Sequence, residues 1–168
     1  MNAFSSRLNR QTHICADTIG YVGTFRHEFT VKTSAQKVWE FYTDIGHLEV
    51  VSPPNMRIKV VRTTHQRLVE GSEVWLTGML LTRSNWHSKI TWLKPYEYVD
   101  EMLSGRFKVW KHVHCFLRVN DNETEVIDQI SFELHYGLLG RMFEVFVQSQ
   151  LKKIFAYRKK ATLNAMVN

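Results

Sequence analysis

The amino-acid sequence predicts an α+β domain in which an antiparallel sheet of about seven strands curls around one long C-terminal helix, with two short helices after the first strand. Apolar and polar residues alternate in the first strand and in a series of segments after residue 73. The spacing then becomes helical after Gly137 and Gly140. Only this last helix is available to cover the inner face of the sheet, so we expect the sheet to curl and to leave a cavity.

The first predicted strand covers residues 24–32, where alternation is strict and successive side chains therefore point to opposite faces. One face is apolar and carries Phe25, His27, Phe29 and Val31. The other face is polar and is expected to contact water. We expect His27 to be a core or rim histidine rather than a participant in chemistry.

The two short helices follow this strand. Ser34 is placed to cap a helix of about residues 35–43, whose apolar residues recur at helical spacing. A second short helix over about residues 45–51 must stop before Pro53, because proline disfavours the helical conformation of the residue that precedes it. A second strand is predicted over residues 56–62.

Five further strands are predicted as a meander of neighbouring antiparallel strands. They cover residues 73–82, 85–93, 96–103, 107–119 and 123–136. The segment Asn120-Asp121-Asn122 is interpreted as a three-residue turn, since asparagine tolerates the left-handed conformation that such a turn needs. A long helix of about residues 139–163 follows, with one apolar stripe.

The last two strands place ionisable side chains on an apolar face. If Val119 pairs with Glu123, the opposed pairs are Phe116 with Val126, His114 with Asp128, His112 with Ile130, and Trp110 with Phe132. A buried polar group without a partner is costly, so an opposed histidine and aspartate most often form a satisfied structural pair. Such groups also mark pockets.

Composition fits one folded domain. The chain has 168 residues, of which 44% are hydrophobic and 12% aromatic, enough for a core and for a ring-lined cavity. We expect the domain to cover residues 24–165 and residues 1–23 to be a flexible N-terminal extension. Neither a membrane-spanning run nor a secretory signal is recognisable, so a cytoplasmic location and no integral membrane segment are predicted.

Charge and cysteine content limit the partners. The net charge is +6, but basic residues concentrate only at Lys152-Lys153 and Arg158-Lys159-Lys160, which we interpret as an exposed helix face. No nucleic-acid partner is therefore predicted, while peripheral membrane contact stays open. Cys15 and Cys115 have no metal-ligand spacing, and Cys115 should be a packed residue on the strand face opposite His114. No metal and no cofactor are predicted, and the chain is expected to be a monomer or a homodimer.

A family resemblance rests on a set of motifs spread along the chain. They are Val38-Trp39-Glu40-Phe41 with Pro53-Pro54, Asp100-Glu101, Gly105-Arg106-Phe107, Trp110-x-His112-x-His114-x-Phe116, Asp128-x-Ile130-x-Phe132 and Gly137-Leu138-Leu139-Gly140. Over about residues 24–160 the chain resembles helix-grip proteins of the START and birch-pollen-allergen-like (SRPBCC) superfamily, and more narrowly its polyketide cyclase/dehydrase-like members. Arg106 and His135-Tyr136 depart from the residues common in these relatives.

The resemblance implies a helix-grip fold with a hydrophobic ligand between the sheet and the C-terminal helix, but no particular activity. The first functional hypothesis is a carrier or sensor for a small hydrophobic molecule such as a lipid, a quinone or a polyketide-like ring system. The candidate binding residues are Trp86, Trp92, Tyr98, Asp100, Trp110, His112, His114, Phe116, Asp128, Phe132, Phe143, Phe146 and Val147.

Two other hypotheses stay open. One is a cyclase, dehydratase or isomerase, in which His114 oriented by Asp128 moves a proton while His112 or Tyr98 polarises a carbonyl. Such chemistry needs a group that titrates near neutrality and a second group that holds it in place. The other hypothesis is an interaction protein without a small ligand, which would use the basic face of the last helix.

Overall fold

The computed structural model describes residues 23–79, 82–135 and 137–166. The strands are β1 (Gly23–Val31), β2 (Lys59–Thr63), β3 (Glu73–Met79), β4 (Arg83–Lys94), β5 (Glu97–Ser104), β6 (Phe107–Asn120) and β7 (Glu123–Leu134). The helices are α1 (Ala35–Thr43), α2 (His47–Val50) and α3 (Gly137–Met166), with one turn of 3-10 helix at Pro54–Met56. The expected extension, residues 1–23, lies outside the described residues except for Gly23.

The seven strands form one antiparallel sheet in the order β1-β7-β6-β5-β4-β3-β2. Strands β2 to β7 are a meander in which each strand pairs with the next along the chain. The first strand instead pairs with the last, so β1 and β2 occupy opposite edges. The predicted helix-grip architecture of seven strands, two short helices and a long C-terminal helix is confirmed.

The predicted register between β6 and β7 is confirmed at all of its four pairs: Phe116 with Val126, His114 with Asp128, His112 with Ile130, and Trp110 with Phe132. The predicted three-residue turn is wrong. Asn120 pairs with Glu123, and the register shifts between Arg118 and Asn120. The irregularity takes up one residue on the β6 side, so the turn itself contains only Asp121 and Asn122.

The start of α1 follows the prediction, because the Ser34 hydroxyl accepts a hydrogen bond from the backbone N–H of Lys37. The next segment differs. The predicted strand over residues 56–62 begins only at Lys59, since Pro54–Met56 forms the 3-10 turn and Arg57 takes a left-handed conformation with φ 46°. A chain with one left-handed residue cannot stay extended through that point.

Both α1 and α3 pack on the inner face of the sheet. Val38 of α1 lies in one buried apolar cluster with Phe116 and Val126. A second cluster joins Leu151 and Phe155 of α3 to strand residues that include Phe25, Ile130 and Phe132. Burial of each such side chain contributes about 1.5–3 kcal/mol. The two helices therefore enclose an internal space from two sides.

The opposite face of the sheet has its own small cluster, formed by Val99, Val113, Cys115 and Ile127. Cys115 is a free thiol and is 1% exposed, which confirms that it is packed on the face opposite His114. Among the described helices, none is both long and apolar enough to cross a membrane.

Candidate functional site

A cavity of about 590 Å³ lies between the inner face of the sheet and the helices. Its wall contains nine of the predicted site residues: Trp86, Tyr98, Asp100, Trp110, His112, His114, Phe143, Phe146 and Val147. Strands β3 to β6 supply the wall on one side, and α1, α2 and α3 supply it on the other. The volume is in the range of pockets for small organic molecules.

Three other predicted residues lie behind this wall rather than in it. Phe116 and Phe132 are each 2% exposed and pack into the two inner clusters. Asp128 is fully buried and contacts the two histidines of the wall. The side chain of Trp92 is outside the described part of the structure.

A buried polar cluster stands at the centre of β6 and β7. Nε2 of His112 lies 2.9 Å from Oδ1 of Asp128. Burial alone would raise the pKa of Asp128, but the charge of Arg158, the hydrogen bond from His112 and the close contact of His114 outweigh it and hold that pKa well below its usual range. Because an ionised carboxylate can only accept hydrogen bonds, the Nε2–H of His112 donates the hydrogen bond to Asp128.

His114 contacts the same carboxylate oxygen less favourably. Its Nδ1 lies 3.1 Å from Oδ1 of Asp128, but the angle is poor for a hydrogen bond. Burial and the nearby His112 lower the pKa of His114 to about 3, against the opposing effect of Asp128. The ring is therefore neutral near neutral pH, and it stacks on Tyr98 with ring centroids 4.3 Å apart.

Asp100 is a carboxyl group that lines the cavity, and it differs from Asp128 behind the wall. Burial raises its pKa and outweighs the hydrogen bond from Ser88 and the charge of His112. Its Oδ1 is buried without a hydrogen-bond partner. The two carboxyl groups of this region thus have pKa values displaced in opposite directions, because only Asp128 has strong stabilising partners.

Arg158 is a wall residue that the sequence analysis misplaced. Lys159 and Lys160 are exposed as expected, but Arg158 is partly buried and lines the cavity. Its guanidinium carbon lies 5.0 Å from the ring centroid of Tyr42 and 5.6 Å from that of Phe155. The signal was present, because Arg158 follows Phe155 by three residues and so falls on the apolar stripe of the helix.

Tyr42 and Thr162 connect the two helices that bound the cavity. The Tyr42 hydroxyl and Oγ1 of Thr162 are 2.8 Å apart and buried. Burial raises the pKa of Tyr42, so its hydroxyl stays protonated. This contact fixes α1 against α3 next to Arg158. Neither residue was among the predicted site residues, because each lies on a different helix and no local pattern pairs them.

The three groups His112, His114 and Asp128 are also a conceivable cation site. Their ligand atoms all lie within 4.8 Å of one another. Two imidazoles and a carboxylate are a donor set that suits iron. In this arrangement, however, Asp128 already accepts a hydrogen bond from His112, and the charge of Arg158 acts on the same carboxylate. The geometry therefore describes a hydrogen-bonded cluster.

The wall continues onto the first turns of α3. Phe143 is 57% exposed and Phe146 is 39% exposed, although both line the cavity. Aromatic rings at this exposure occur where a cavity opens to the surface or contacts another molecule. The described part of the chain therefore places an apolar rim beside the cavity.

Comparisons with known proteins extend this description. A family model described as polyketide cyclase / dehydrase and lipid transport matches residues 31–155. The matched region begins at the end of β1 and stops at Phe155 of α3, so it includes the whole sheet from β2 to β7. A sequence comparison with curated proteins gives no significant match.

Several solved structures share the fold. A START superfamily protein from Mycobacterium smegmatis is 11% identical, with a TM-score of 0.68 over 88% of this chain and 97% of that one. The Zhui aromatase/cyclase from a Streptomyces species is 17% identical, with a TM-score of 0.60 over 85% and 90%. Norcoclaurine synthase from Thalictrum flavum, in complex with dopamine and hydroxybenzaldehyde, is 13% identical, with a TM-score of 0.61 over 84% and 86%.

Proposed function

The chain belongs to the polyketide cyclase / dehydrase and lipid transport family, and from that premise we propose that it binds a small hydrophobic molecule between the sheet and α3 as a carrier or sensor. The observation that carries the proposal is the cavity of about 590 Å³, whose wall is mostly apolar. Pockets of this kind hold small organic ligands by apolar contact and orient them with a few polar groups.

The distribution of polar groups supports this proposal. His112 and His114 lie on one side of the wall with Asp128 behind them, and Asp100 is beside them on β5. Trp86 and Trp110 supply flat apolar surface elsewhere in the wall. A bound molecule would therefore have one polar end and an apolar body.

An enzymatic role is the second candidate. The fold is shared with an aromatase/cyclase and with norcoclaurine synthase, and a histidine beside a buried aspartate is a possible acid/base group. An efficient general base has a pKa near the working pH, whereas burial lowers that of His114 to about 3. The lowered pKa makes the ring a weak base, which favours binding over proton transfer by this residue.

The proposal is tested with phenylnaphthylamine, a neutral dye that fluoresces in apolar surroundings. We expect saturable binding to the full chain at one site, with quenching of tryptophan emission. Val147→Trp places a large ring in the wall and should weaken binding about tenfold or more. Val119→Trp, at a 57% exposed position of β6 that does not line the cavity, is the matched control and should leave the affinity unchanged.

A second measurement is made on the protein as purified. Organic extraction followed by mass spectrometry should recover an apolar molecule from the wild type and less of it from Val147→Trp. The proposal fails if phenylnaphthylamine and a panel of fatty acids, quinones and polycyclic phenols all leave the emission and the melting temperature unchanged, because a ligand that binds the native state must raise stability.

A further inference from the structure

We infer that the molecule held in the cavity carries an oxyanion, either a carboxylate or an ionised phenol or enol, and that Arg158 is the residue that selects it. This inference rests on the proposed function, because it names the chemistry of the polar end of the ligand. It assigns a specificity-determining role to a residue outside the cluster of His112, His114 and Asp128.

The position of Arg158 places a fixed positive charge inside an apolar wall. Its neighbours on the same stripe of α3 are Leu151, Phe155 and Thr162, all of them buried. The guanidinium lies near the rings of Tyr42 and Phe155, which hold the cation against aromatic faces. The side chain of Arg158 is long enough to reach water, but it is directed towards the cavity.

The hydrogen-bonding capacity of Arg158 is not used up. Its Nε is buried without a hydrogen-bond partner, and within the described residues no carboxylate forms an ion pair with it. Some other long cations of the described chain do form ion pairs, such as Lys59 with Glu49 and Lys108 with Glu133. A guanidinium has five N–H donors. Arg158 also hydrogen-bonds to Tyr42, but its Nε donor remains available to a bound group.

The geometry of these donors favours an oxyanion over a neutral alcohol. Nε and one terminal nitrogen of a guanidinium form a flat fork that fits two oxygens of a carboxylate, and one oxygen of an ionised phenol can accept from both. Burial without a partner costs free energy, which a bound oxyanion would recover. The ionised Asp128 already offsets part of the charge of Arg158, so a singly charged group is favoured over a doubly charged phosphate ester.

The other polar groups of the region point to the same class. Oδ1 of Asp128 is already occupied by His112, and Oδ2 of Asp128 and Nε of Arg158 are both buried without a hydrogen-bond partner, so this carboxylate does not take up the Nε donor of Arg158. Asp100, whose pKa is raised by burial, offers a proton when it is neutral. Arg158 and a neutral Asp100 therefore present donors to the cavity, and a ligand that matches these two groups supplies acceptors.

The experiment uses pairs of molecules that differ only in the acidic group and displaces phenylnaphthylamine from the full chain. Dodecanoic acid is compared with dodecanol, and naphthoic acid with naphthylmethanol, so that one pair tests a straight chain and the other a ring. In the wild type we expect at least one acid to compete at about a tenfold lower concentration than its alcohol. The pair that shows the preference identifies the source of the oxyanion.

Variants assign the preference to Arg158. Arg158→Gln should weaken the preferred acid about tenfold and leave its alcohol within about twofold. Arg158→Lys, which keeps the charge but loses the fork, should give an intermediate preference. Lys160→Gln makes the same charge change at an exposed position two residues further along α3 and should behave as the wild type.

The outcomes separate this inference from the proposed function. If phenylnaphthylamine does not bind the wild type, the proposed function fails and this inference fails with it. If the dye binds but acids and alcohols compete equally, or if Arg158→Gln keeps the preference, only this inference is overturned. If Arg158→Gln does not fold, the comparison of wild type with Arg158→Lys decides, since equal preferences in those two proteins contradict the role of the fork.

Discussion

His112 and Asp128 are joined by a hydrogen bond of 2.9 Å although they are not directly opposed in the sheet. The residue directly across from Asp128 is His114, whose Nδ1 lies 3.1 Å from the same oxygen at a poor angle. Diagonal neighbours on adjacent strands are within reach of long side chains. The carboxylate therefore has its stronger bond to the diagonal residue.

Double-mutant cycles should show this difference. We expect Asp128→Asn to couple with His112→Phe by about 1–3 kcal/mol in the free energy of unfolding, and less with His114→Phe. Urea denaturation near neutral pH measures both cycles. Lys111→Ala, on the opposite face of β6, is the control and should be additive with Asp128→Asn. Equal coupling of the two histidines would contradict the unequal bonding.

Stability should fall as the solution is acidified, because of His114. Burial lowers its pKa to about 3, whereas an unfolded histidine titrates near 6.5, so the unfolded state binds more protons between these values. We therefore expect the free energy of unfolding to decrease as pH falls from about 6.5 towards 3. His114→Phe should flatten this part of the profile, and His65→Phe, at an exposed position, is the matched control. An unchanged slope in His114→Phe would show that His114 is not the source.

Asp100 should have the opposite effect. Burial raises the pKa of Asp100 in the folded state. Between the unfolded pKa and this raised pKa, the folded state binds more protons than the unfolded state. Stability is therefore lost as pH rises through the folded pKa. Asp100→Asn cannot ionise and should raise the melting temperature near neutral pH, with the difference from wild type disappearing below about pH 4. Glu101→Gln, the exposed neighbour on β5, should not change it. A lower melting temperature for Asp100→Asn at neutral pH would contradict this prediction.

The hydroxyl contact between Tyr42 and Thr162 should contribute measurably to stability. Tyr42→Phe leaves Oγ1 of Thr162 buried without this partner, and we expect a loss of about 1–2 kcal/mol in the free energy of unfolding. Tyr96→Phe, which removes a more exposed hydroxyl that bonds to Gln36, should cost less. Chemical denaturation compares the two. Adding Thr162→Val to Tyr42→Phe should cost little more, because the contact is already lost.

Local alternation was sufficient to predict which face the side chains of β6 and β7 occupy. The register was predicted from a pair of Val119 with Glu123 that the structure does not contain. The irregularity between Arg118 and Asn120 compensates for this error, so His114 still opposes Asp128. Alternation does not predict how deeply a side chain is buried. Phe116 lies on the correct face but is covered by Trp39 and Tyr42 of α1, and the sequence of β6 contains no information about where α1 packs.

The missed residues have a common cause. Arg158 was interpreted by its charge and by its basic neighbours, although its spacing from Phe155 predicts the inward face. The bond of Tyr42 to Thr162 depends on how two helices cross, which local patterns do not determine. The late start of β2 likewise depends on the left-handed conformation of Arg57, a residue without a special turn preference.

The pairing of β1 with β7 has a consequence for the order in which the chain folds. The first described strand is synthesised early, yet its partner in the sheet is the last strand, with His27 opposite Asp128. Strands β2 to β7 can assemble from successive local hairpins, whereas β1 must close the longest loop and so joins slowly. Until then Phe25 and Phe29 have no sheet to cover them, which exposes the nascent chain to aggregation. The cavity becomes competent to bind only after α3 has left the ribosome, because α3 supplies part of its wall.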